Sequence, residues 1–375
     1  MTDKTNLTPI NAYFEAAKQG NAKWWTWLVV AWAGILFWVY GQAIVGAAMV
    51  VTLVSSSEMN FEQTHAKPPL DLMIAFALVI FPPFIAALIW SVRDKYSGKA
   101  RQFLLVIALL QIFMSIGGMV YLLNIEGGDD TSALLTELIA AKPIFYMFAL
   151  LTFPPLAIGL WVGVKHVQNR PVLTLHTAAK KFRWKRLFFS MVVLWAVWSL
   201  VAAVNHFTGV SKAEFVFDPA RYWPFLIVTV LFIPMQSATE EIMFRGFLNQ
   251  GLGQYIKNPW VVFIITSAGF AALHMGNPEV AEAIKEYNIF FALSGYFAFG
   301  MFLCVLTYID GGLEAAIGVH VANNIFAAAV VGYTNSALPV PTIFQIKLDT
   351  SLDTVTTVIG LAVVCVIMYK TRKPL

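Results

Sequence analysis

The chain has 375 residues, of which 59% are hydrophobic and only 12% are charged. This composition excludes an ordinary soluble globular protein, in which about a quarter of the residues carry charge. The formal net charge is +4, and the basic residues lie in short segments without interleaved aromatic residues, so nucleic-acid binding is not expected. Cys304 and Cys365 lie in apolar stretches at no metal-binding or redox spacing, so no disulfide framework is indicated.

Long apolar segments follow the polar residues 1–23. A helix that crosses a bilayer needs about 20 mainly apolar residues. The first such run, 24–54, is too long for a signal peptide and is interpreted as a retained span. About ten segments satisfy this length rule, which predicts an all-α bundle of transmembrane helices. The expected spans are 27–54, 72–92, 103–125, 144–164, 187–204, 223–239, 260–273, 289–309, 315–333 and 355–369.

The charges of the connecting segments predict an orientation in the membrane, because short cytoplasmic loops are enriched in Lys and Arg. Basic connections lie at 93–101, 165–186 and 370–373, and acidic connections lie at 58–71, 126–137, 279–286 and 349–353. When the ten expected spans are counted along the chain, these basic connections fall on one side of the membrane and these acidic connections on the other. Both termini are therefore expected on the cytoplasmic side.

The basic stretch 165–186 divides the chain into an N-terminal four-span bundle, 1–175, and a C-terminal membrane domain, 186–375. This stretch is interpreted either as a solvated loop or as a surface that binds anionic lipid headgroups. Within the N-terminal bundle, Phe81-Pro82-Pro83 recurs as Phe153-Pro154-Pro155. A tandem two-helix repeat would explain the recurrence, and so would the general similarity of apolar helices. The proline pairs predict kinks in both helices.

Three charged residues stand at the end of the sixth expected span. Glu240, Glu241 and Arg245 follow an apolar run, although a charged group within a span costs about 2.5 to 3.5 kcal/mol. Glu241 and Arg245 are four residues apart and share a helix face, so they are expected to pair. Glu240 points about 100° away and is left free to act on another group. The alternative is a charge cluster at a helix end in the headgroup region.

Two histidines lie within or at the end of expected spans. His274 closes the seventh span, and His320 lies in the ninth span with Asn324 one helical turn later on the same face. Asn323 would point elsewhere and is interpreted as a helix-packing hydrogen bonder. The remaining histidines, in loops or at span edges, are His65, His166, His176 and His206.

Together these residues form a set that suits amide hydrolysis. A carboxylate and a neutral imidazole can share the work of taking a proton from water and passing it to the leaving amine. An imidazole N–H beside an Asn amide can stabilise the developing oxyanion. A polar cavity inside the bundle would keep these interactions in a low dielectric.

Three motifs on successive spans carry a resemblance to a known family. Glu240-Glu241-x-x-x-Arg245, Phe270-x-x-x-His274 and His320-x-x-x-Asn324 resemble the motifs of the CAAX protease and bacteriocin-processing family, also called CPBP or Abi. The resemblance covers about 187–331 and leaves the first four spans outside it.

The resemblance implies an intramembrane endopeptidase of the glutamic type that needs no cofactor. In this family pattern Glu240 and His274 would activate water, and His320 and Asn324 would form the oxyanion hole. Supporting roles would fall to Glu241 and Arg245. The family cleaves C-terminal tripeptides from prenylated proteins, processes bacteriocins and provides immunity to them. The implied partners are membrane lipids and a membrane-associated peptide or protein substrate, in a bacterial cytoplasmic membrane.

The depths of the predicted site residues do not agree for straight perpendicular helices. Glu240 would lie near the cytoplasmic side and His274 nearer the outer side. Strong tilt, a break at Pro234 or Pro259, or a different sixth span would be needed to bring them together. His320 is shallow from the cytoplasmic end, so a cavity that opens toward the cytoplasm is expected.

Several alternatives remain open at the level of sequence. Glu240, His274 and His320 are ligand types that suit zinc, although no His-Glu-x-x-His helix is present. A non-catalytic immunity or assembly partner, or a transporter, could use the same cluster to bind a ligand. Against transport, the N-terminal spans contain only Gln42 and Gln111 as candidate polar groups. The N-terminal bundle could also present substrate to the C-terminal domain.

Overall fold

The computed structural model describes residues 9–55, isolated residues between 78 and 117, and residues 128–333 and 335–372. The expected spans 72–92 and 103–125 fall largely outside the described residues, as do His65 and most of the first Phe-Pro-Pro motif. The outcome of those predictions is therefore open.

Helices dominate the described part of the chain. They are α1 (Pro9–Glu15), α2 (Trp24–Ser55), α3 (Gly128–Ala141), α4 (Pro143–Leu151), α5 (Pro154–His166), α6 (Trp184–Thr208), α7 (Pro219–Glu241), α8 (Asn249–Leu252), α9 (Pro259–Leu273), α10 (Pro278–Glu286), α11 (Ile289–Ala292), α12 (Ser294–Asp310), α13 (Glu314–Ile325) and α14 (Thr350–Lys370). Two π-helical segments, Ile242–Leu248 and Phe326–Val330, continue α7 and α13. Two 3₁₀ segments lie at Ala16–Gln19 and Val172–Leu175.

Five helical stretches of the described residues are long and apolar enough to cross a membrane. They are Trp24–Leu53, Pro143–His166, Trp184–Thr208, Pro219–Leu252 and Thr350–Lys370. The pair α9 and α10 would be a sixth span if its two helices, bent by 99°, count as one. A helical bundle with several membrane spans agrees with the sequence prediction, whereas the total of about ten spans stays a prediction.

Local sequence signals fix where three of these helices begin. Asp218 and Asn258 each cap a helix through a side-chain oxygen and are followed by Pro219 and Pro259 at the first helical position. Asp349 caps α14 in the same way. These caps lie upstream of the hydrophobic runs, which is why the helices begin earlier than hydropathy alone predicted.

A small sheet corrects the prediction that the fold is purely helical. The strands are β1 (Glu214–Phe215), β2 (Val331–Tyr333) and β3 (Phe344–Ile346), in the order β1-β3-β2. β3 runs antiparallel to β1 and parallel to β2. The ninth expected span, 315–333, thus ends as a strand. Strands of two or three residues are too short to produce the alternation that reveals them in a sequence.

The contacts divide the chain into two compact units. One comprises Met1–Trp38 and Ile139–Leu375, and the other comprises Val39–Leu138. Within the first unit, α4 and α5 pack against α7, and α1 packs against α12. Parts of the predicted N-terminal bundle therefore belong to the same unit as the Glu240 helix. A functional division into 1–175 and 186–375 remains a prediction.

The helices α6 and α13 approach each other closely at Gly318. A methyl group at this position would overlap the Ser190 hydroxyl and the backbone carbonyl oxygen of Leu187. Small residues allow such close approach of helices within membranes. The Trp195 indole N–H also donates to the Ala322 carbonyl across this interface, at 2.9 Å. The contact fixes the helix that carries His320 against α6.

Ion pairs anchor the end of the basic stretch. Arg183 donates to both carboxylate oxygens of Glu314, at 3.0 and 2.8 Å, and Arg186 pairs with Asp310 at 2.8 Å. Arg170 is buried and donates to Gln250 at 3.0 Å. These three arginines serve the packing of the bundle, which differs from the interpretation of the whole stretch as a solvated loop.

Candidate functional site

The two adjacent carboxylates lie inside a long helix and not at its end. α7 continues through the π-helical segment Ile242–Leu248 and α8 to Leu252. A π-helical turn widens the helix locally, and such segments occur frequently at functional sites. Arg245 lies in this widened segment and is completely buried. The prediction that the charges end the apolar helix is therefore wrong.

Glu241 and Arg245 form the ion pair that their spacing predicts. The Arg245 Nη1 atom lies 2.9 Å from Glu241 Oε1, and both side chains are 0% exposed. The Nη2 atom of Arg245 donates to the Gly300 carbonyl at 3.1 Å. The guanidinium also lies over the Phe270 ring, 4.5 Å from its centroid. These contacts tie α7 to α9 and α12 directly behind Glu240.

Glu240 faces away from this pair, as the 100° rotation between neighbouring helix positions requires. Its side chain is 14% exposed. Oε1 accepts a hydrogen bond from the amide of Gln236, one turn earlier. Oε2 has no hydrogen-bond partner among the described residues and lies 3.7 Å from His320 Nε2. One carboxylate oxygen thus remains available as an acceptor.

His320 lies between the two carboxylates. Its Nδ1 atom is 2.7 Å from Glu241 Oε1, and Nε2 faces Glu240. Because an ionised carboxylate only accepts hydrogen bonds, Nδ1 carries the proton in this contact. The ring is 3% exposed and packs against the edges of Phe270 and Phe299. Glu241 therefore orients both Arg245 and His320.

His274 occupies the break between two helices. α9 ends at Leu273, and the following helix α10 leaves at 99°. The His274 Nδ1 atom lies 2.8 Å from the Phe270 carbonyl oxygen, which can only accept, so this nitrogen carries the proton. In the neutral ring the lone pair is consequently on Nε2. The ring stacks on Tyr296 with 4.2 Å between centroids.

Asn324 hydrogen-bonds to the α7 helix. Its Nδ2 atom donates to Gln236 Oε1 at 3.1 Å and to Ser237 Oγ at 3.2 Å. Asn323 donates to Asn324 Oδ1 at 3.1 Å and accepts from the Trp198 indole at 3.1 Å. The contact with Trp198 fits the packing role predicted for Asn323, which in addition orients the amide of Asn324.

One cavity of about 510 Å³ brings these groups together. The predicted site residues that line it are Glu240, His274, His320 and Asn324. Glu241 and Arg245 lie behind this wall. The helical stretch that carries Glu240 runs on to Leu252, so Glu240 before the following turn and His274 after it lie at comparable distances from that turn. A longer sixth helix, one of the alternatives left open by the sequence, therefore removes the mismatch of depths.

The matched segment of the chain contains the whole predicted site. Residues 219–326 match the family model described as type II CAAX prenyl endopeptidase Rce1-like. This segment is similar to that family and is called the Rce1-like segment. This match confirms the resemblance to the CAAX protease and bacteriocin-processing family over that segment.

A curated relative extends the comparison beyond the Rce1-like segment. It is "Uncharacterized protein YyaK" of Bacillus subtilis (strain 168), which is 30% identical over 207 residues. The aligned region covers 54% of this chain and 64% of the relative, so this chain spans less than two thirds of that relative's length. No solved structure matches the chain.

The structure adds residues to the candidate site that the motifs did not include. Gln236 and Ser237 contact Asn324, and Gln236 also contacts Glu240. Gln236 lies one turn before Glu240 in an apolar helix, so its spacing was a usable signal. Glu279 and Tyr296 also line the cavity. Glu279 belongs to a segment interpreted as an acidic connection, and nothing in its spacing indicates burial.

The described residues contain no group of three or more His, Cys, Asp or Glu side chains that could hold a metal ion. The zinc alternative for Glu240, His274 and His320 receives no geometric support from this finding. Activity in the presence of a strong chelator distinguishes the zinc-dependent from the glutamic mechanism.

Proposed function

We propose that the protein is an intramembrane endopeptidase that hydrolyses peptide bonds of membrane-associated substrates with an activated water molecule. The observation that carries this proposal is the convergence of Glu240, His274, His320 and Asn324 on one cavity within the Rce1-like segment. Prenylated proteins or peptides are one proposed substrate class. The proposed setting is a bacterial cytoplasmic membrane with both termini in the cytoplasm.

Water activation is assigned to Glu240 and His274. Glu240 Oε2 has a free acceptor position, and the Phe270 carbonyl fixes His274 as the tautomer with an acceptor at Nε2. A water molecule held between two acceptors can lose a proton as it attacks the scissile carbonyl. The protonated group can then donate to the leaving amine.

Oxyanion stabilisation is assigned to His320 and Asn324, and it sets two requirements. Glu241 already occupies the Nδ1–H of His320, so donation from Nε2 requires a doubly protonated ring. The Nδ2 group of Asn324 already donates to Gln236 and Ser237 on α7. A bound substrate must therefore replace one of these two acceptors to receive a hydrogen bond from Asn324.

The oxyanion assignment predicts a selective loss of turnover in Asn324→Ala. Removing one oxyanion donor is expected to lower kcat by about 10²–10³-fold while KM changes little. Steady-state cleavage of a fluorogenic peptide by protein in lipid vesicles measures both constants. Asn335→Ala is the matched control, since that exposed amide bonds only to Glu282 in the described structure. Equal losses of kcat in both variants would remove the assignment.

Chelation separates the glutamic from the zinc-dependent mechanism. Because the proposed water activation uses side chains alone, cleavage is expected to persist after prolonged dialysis against a strong chelator. The rate of peptide cleavage before and after dialysis is the measurement. Loss of activity that added Zn²⁺ restores would favour the zinc version with Glu240, His274 and His320 as ligands.

A further inference from the structure

A triangle of hydrogen-bonded side chains, one buried and two half-buried, lies beside His274 and outside the motif residues. The Tyr296 hydroxyl donates to Glu279 Oε1, and Asn277 Nδ2 donates to the same oxygen at 3.1 Å. The Asn277 amide also donates to the Tyr296 hydroxyl at 2.9 Å. Each of the three side chains thus contacts the other two. Such a closed network fixes its members more firmly than isolated hydrogen bonds do.

The triangle joins four parts of the chain. Asn277 belongs to the break that follows α9, Glu279 to the first turn of α10, and Tyr296 to the first turn of α12. The second Glu279 oxygen, Oε2, accepts from the backbone N–H of Ala337 at 3.0 Å, in the segment between β2 and β3. Glu279 is only 7% exposed. A carboxylate is rarely buried unless it is paired or hydrogen-bonded, and here both oxygens are satisfied.

The triangle acts on His274 through the Tyr296 ring. The imidazole lies nearly parallel to the phenol, with an interplanar angle of 26° and 4.2 Å between centroids. Its other contacts are the hydrogen bond to the Phe270 carbonyl and the tilted Phe270 ring, whose centroid lies 4.6 Å from that of the imidazole. That hydrogen bond sets the tautomer, but a single bond at Nδ1 leaves the ring able to swing about it. The phenol face restricts this rotation.

We propose that Glu279, acting through Tyr296, is a positioning residue that holds the His274 imidazole toward Glu240 in the cavity. This inference rests on the proposed function, in which His274 takes part in proton transfer. Glu279 lines the same cavity but has no hydrogen bond to Glu240, His274, His320 or Asn324 in the described structure. Small misplacements of a reacting group lower reaction rates strongly. Loss of the hydrogen bond between Glu279 and Tyr296 is therefore expected to lower kcat more than it changes KM.

A matched residue on the same helix provides the control. Glu282 lies one turn after Glu279 on α10, and its carboxylate accepts from Asn335 at 2.9 Å. It therefore ties α10 to the same segment that contains Ala337, but it has no contact with Tyr296. Glu282→Leu removes a carboxylate and a helix tie without touching the triangle.

Kinetics provide the first test. Tyr296→Phe, which keeps the stacked ring, and Glu279→Leu are expected to lower kcat about ten-fold and leave KM nearly unchanged. Glu279→Gln should lose less turnover than Glu279→Leu, because its amide oxygen can still accept from the Tyr296 hydroxyl, although its NH2 group cannot accept from the Ala337 N–H. Glu282→Leu should match the unmodified protein. Unfolding midpoints recorded for all variants identify any that fail to fold. If Glu279→Leu fails to fold, the kinetics of Tyr296→Phe alone test the inference.

A second readout is independent of cleavage. In NMR spectra of protein with ¹³C-labelled histidine, the signal of the His274 ring is assigned by its absence in His274→Ala. The relaxation rates of this signal measure how far the ring is ordered. Ring order is expected to fall in Tyr296→Phe and to stay unchanged in Glu282→Leu. Unchanged kcat together with unchanged ring order in Tyr296→Phe would overturn the inference. If the unmodified protein cleaves no substrate but the His274 ring order still falls in Tyr296→Phe, the proposed function is rejected. The positioning contact between Tyr296 and His274 is then still established.

Discussion

Glu240→Gln is expected to lower the turnover number by about 10²–10⁴-fold, the range that a general base contributes. The substitution replaces an acceptor that can take a proton with an amide that cannot. The glutamine side chain has nearly the same shape, and its carbonyl oxygen can still accept from Gln236. The unfolding midpoint is therefore expected to change little, so the loss can be attributed to chemistry.

Single-turnover cleavage in lipid vesicles measures this effect without interference from product release. Glu282→Gln serves as the control, since Glu282 is exposed and lies outside the predicted site. Its rate is expected to equal that of the unmodified protein. A Glu240→Gln variant that keeps a substantial share of the normal rate would show that Glu240 does not accept the proton.

Arg245→Met is expected to destabilise the fold by about 3–5 kcal/mol, because it leaves the buried Glu241 carboxylate without its cation. Both members of the pair are 0% exposed. The substitution also removes the hydrogen bond to the Gly300 carbonyl. Thermal unfolding of the detergent-solubilised protein provides the measurement. The double variant Glu241→Gln/Arg245→Met should recover part of the loss, because no buried charge remains unpaired.

The exposed pair between Lys18 and Glu15 provides the comparison for Arg245. Its side chains are 57% and 42% exposed at a separation of 2.6 Å. Solvent screens such a pair, so Lys18→Met should hardly change the unfolding midpoint. If Arg245→Met were equally mild, the claim that Glu241 is a buried charge with Arg245 as its main partner would be wrong.

Sequence spacing predicted the local part of the site. The pairing of Glu241 with Arg245 and the outward direction of Glu240 follow from helical periodicity alone. The contact between Glu241 and His320 joins residues that are 79 positions apart, so no local pattern could reveal it. The same limit applies to Glu279 and its neighbours, whose burial depends on how α10 folds back after the break.

Hydropathy predicted the positions of several spans but not how they end. The run 315–333 reads as one apolar segment, yet it begins as α13, widens into a π-helical turn and ends in β2. The run 260–273 is a helix too short to cross a bilayer alone, and a sharp bend follows it. Average apolarity does not distinguish a lipid-exposed span from a short helix packed among other helices. Both segments that hydropathy described incompletely, 260–273 and 315–333, lie next to the site.

The central claim is that the cavity lined by Glu240 and His274 hydrolyses peptide bonds. Its most direct test is cleavage of a mixed panel of prenylated and unprenylated peptides by purified protein in lipid, followed by mass spectrometry. Glu240→Ala and His274→Ala are run in parallel after each is shown to be folded. Defined cleavage products are expected from the unmodified protein, and none are expected from either variant. Absence of cleavage by the folded, unmodified protein across the panel, or full cleavage by either variant, would contradict the central claim.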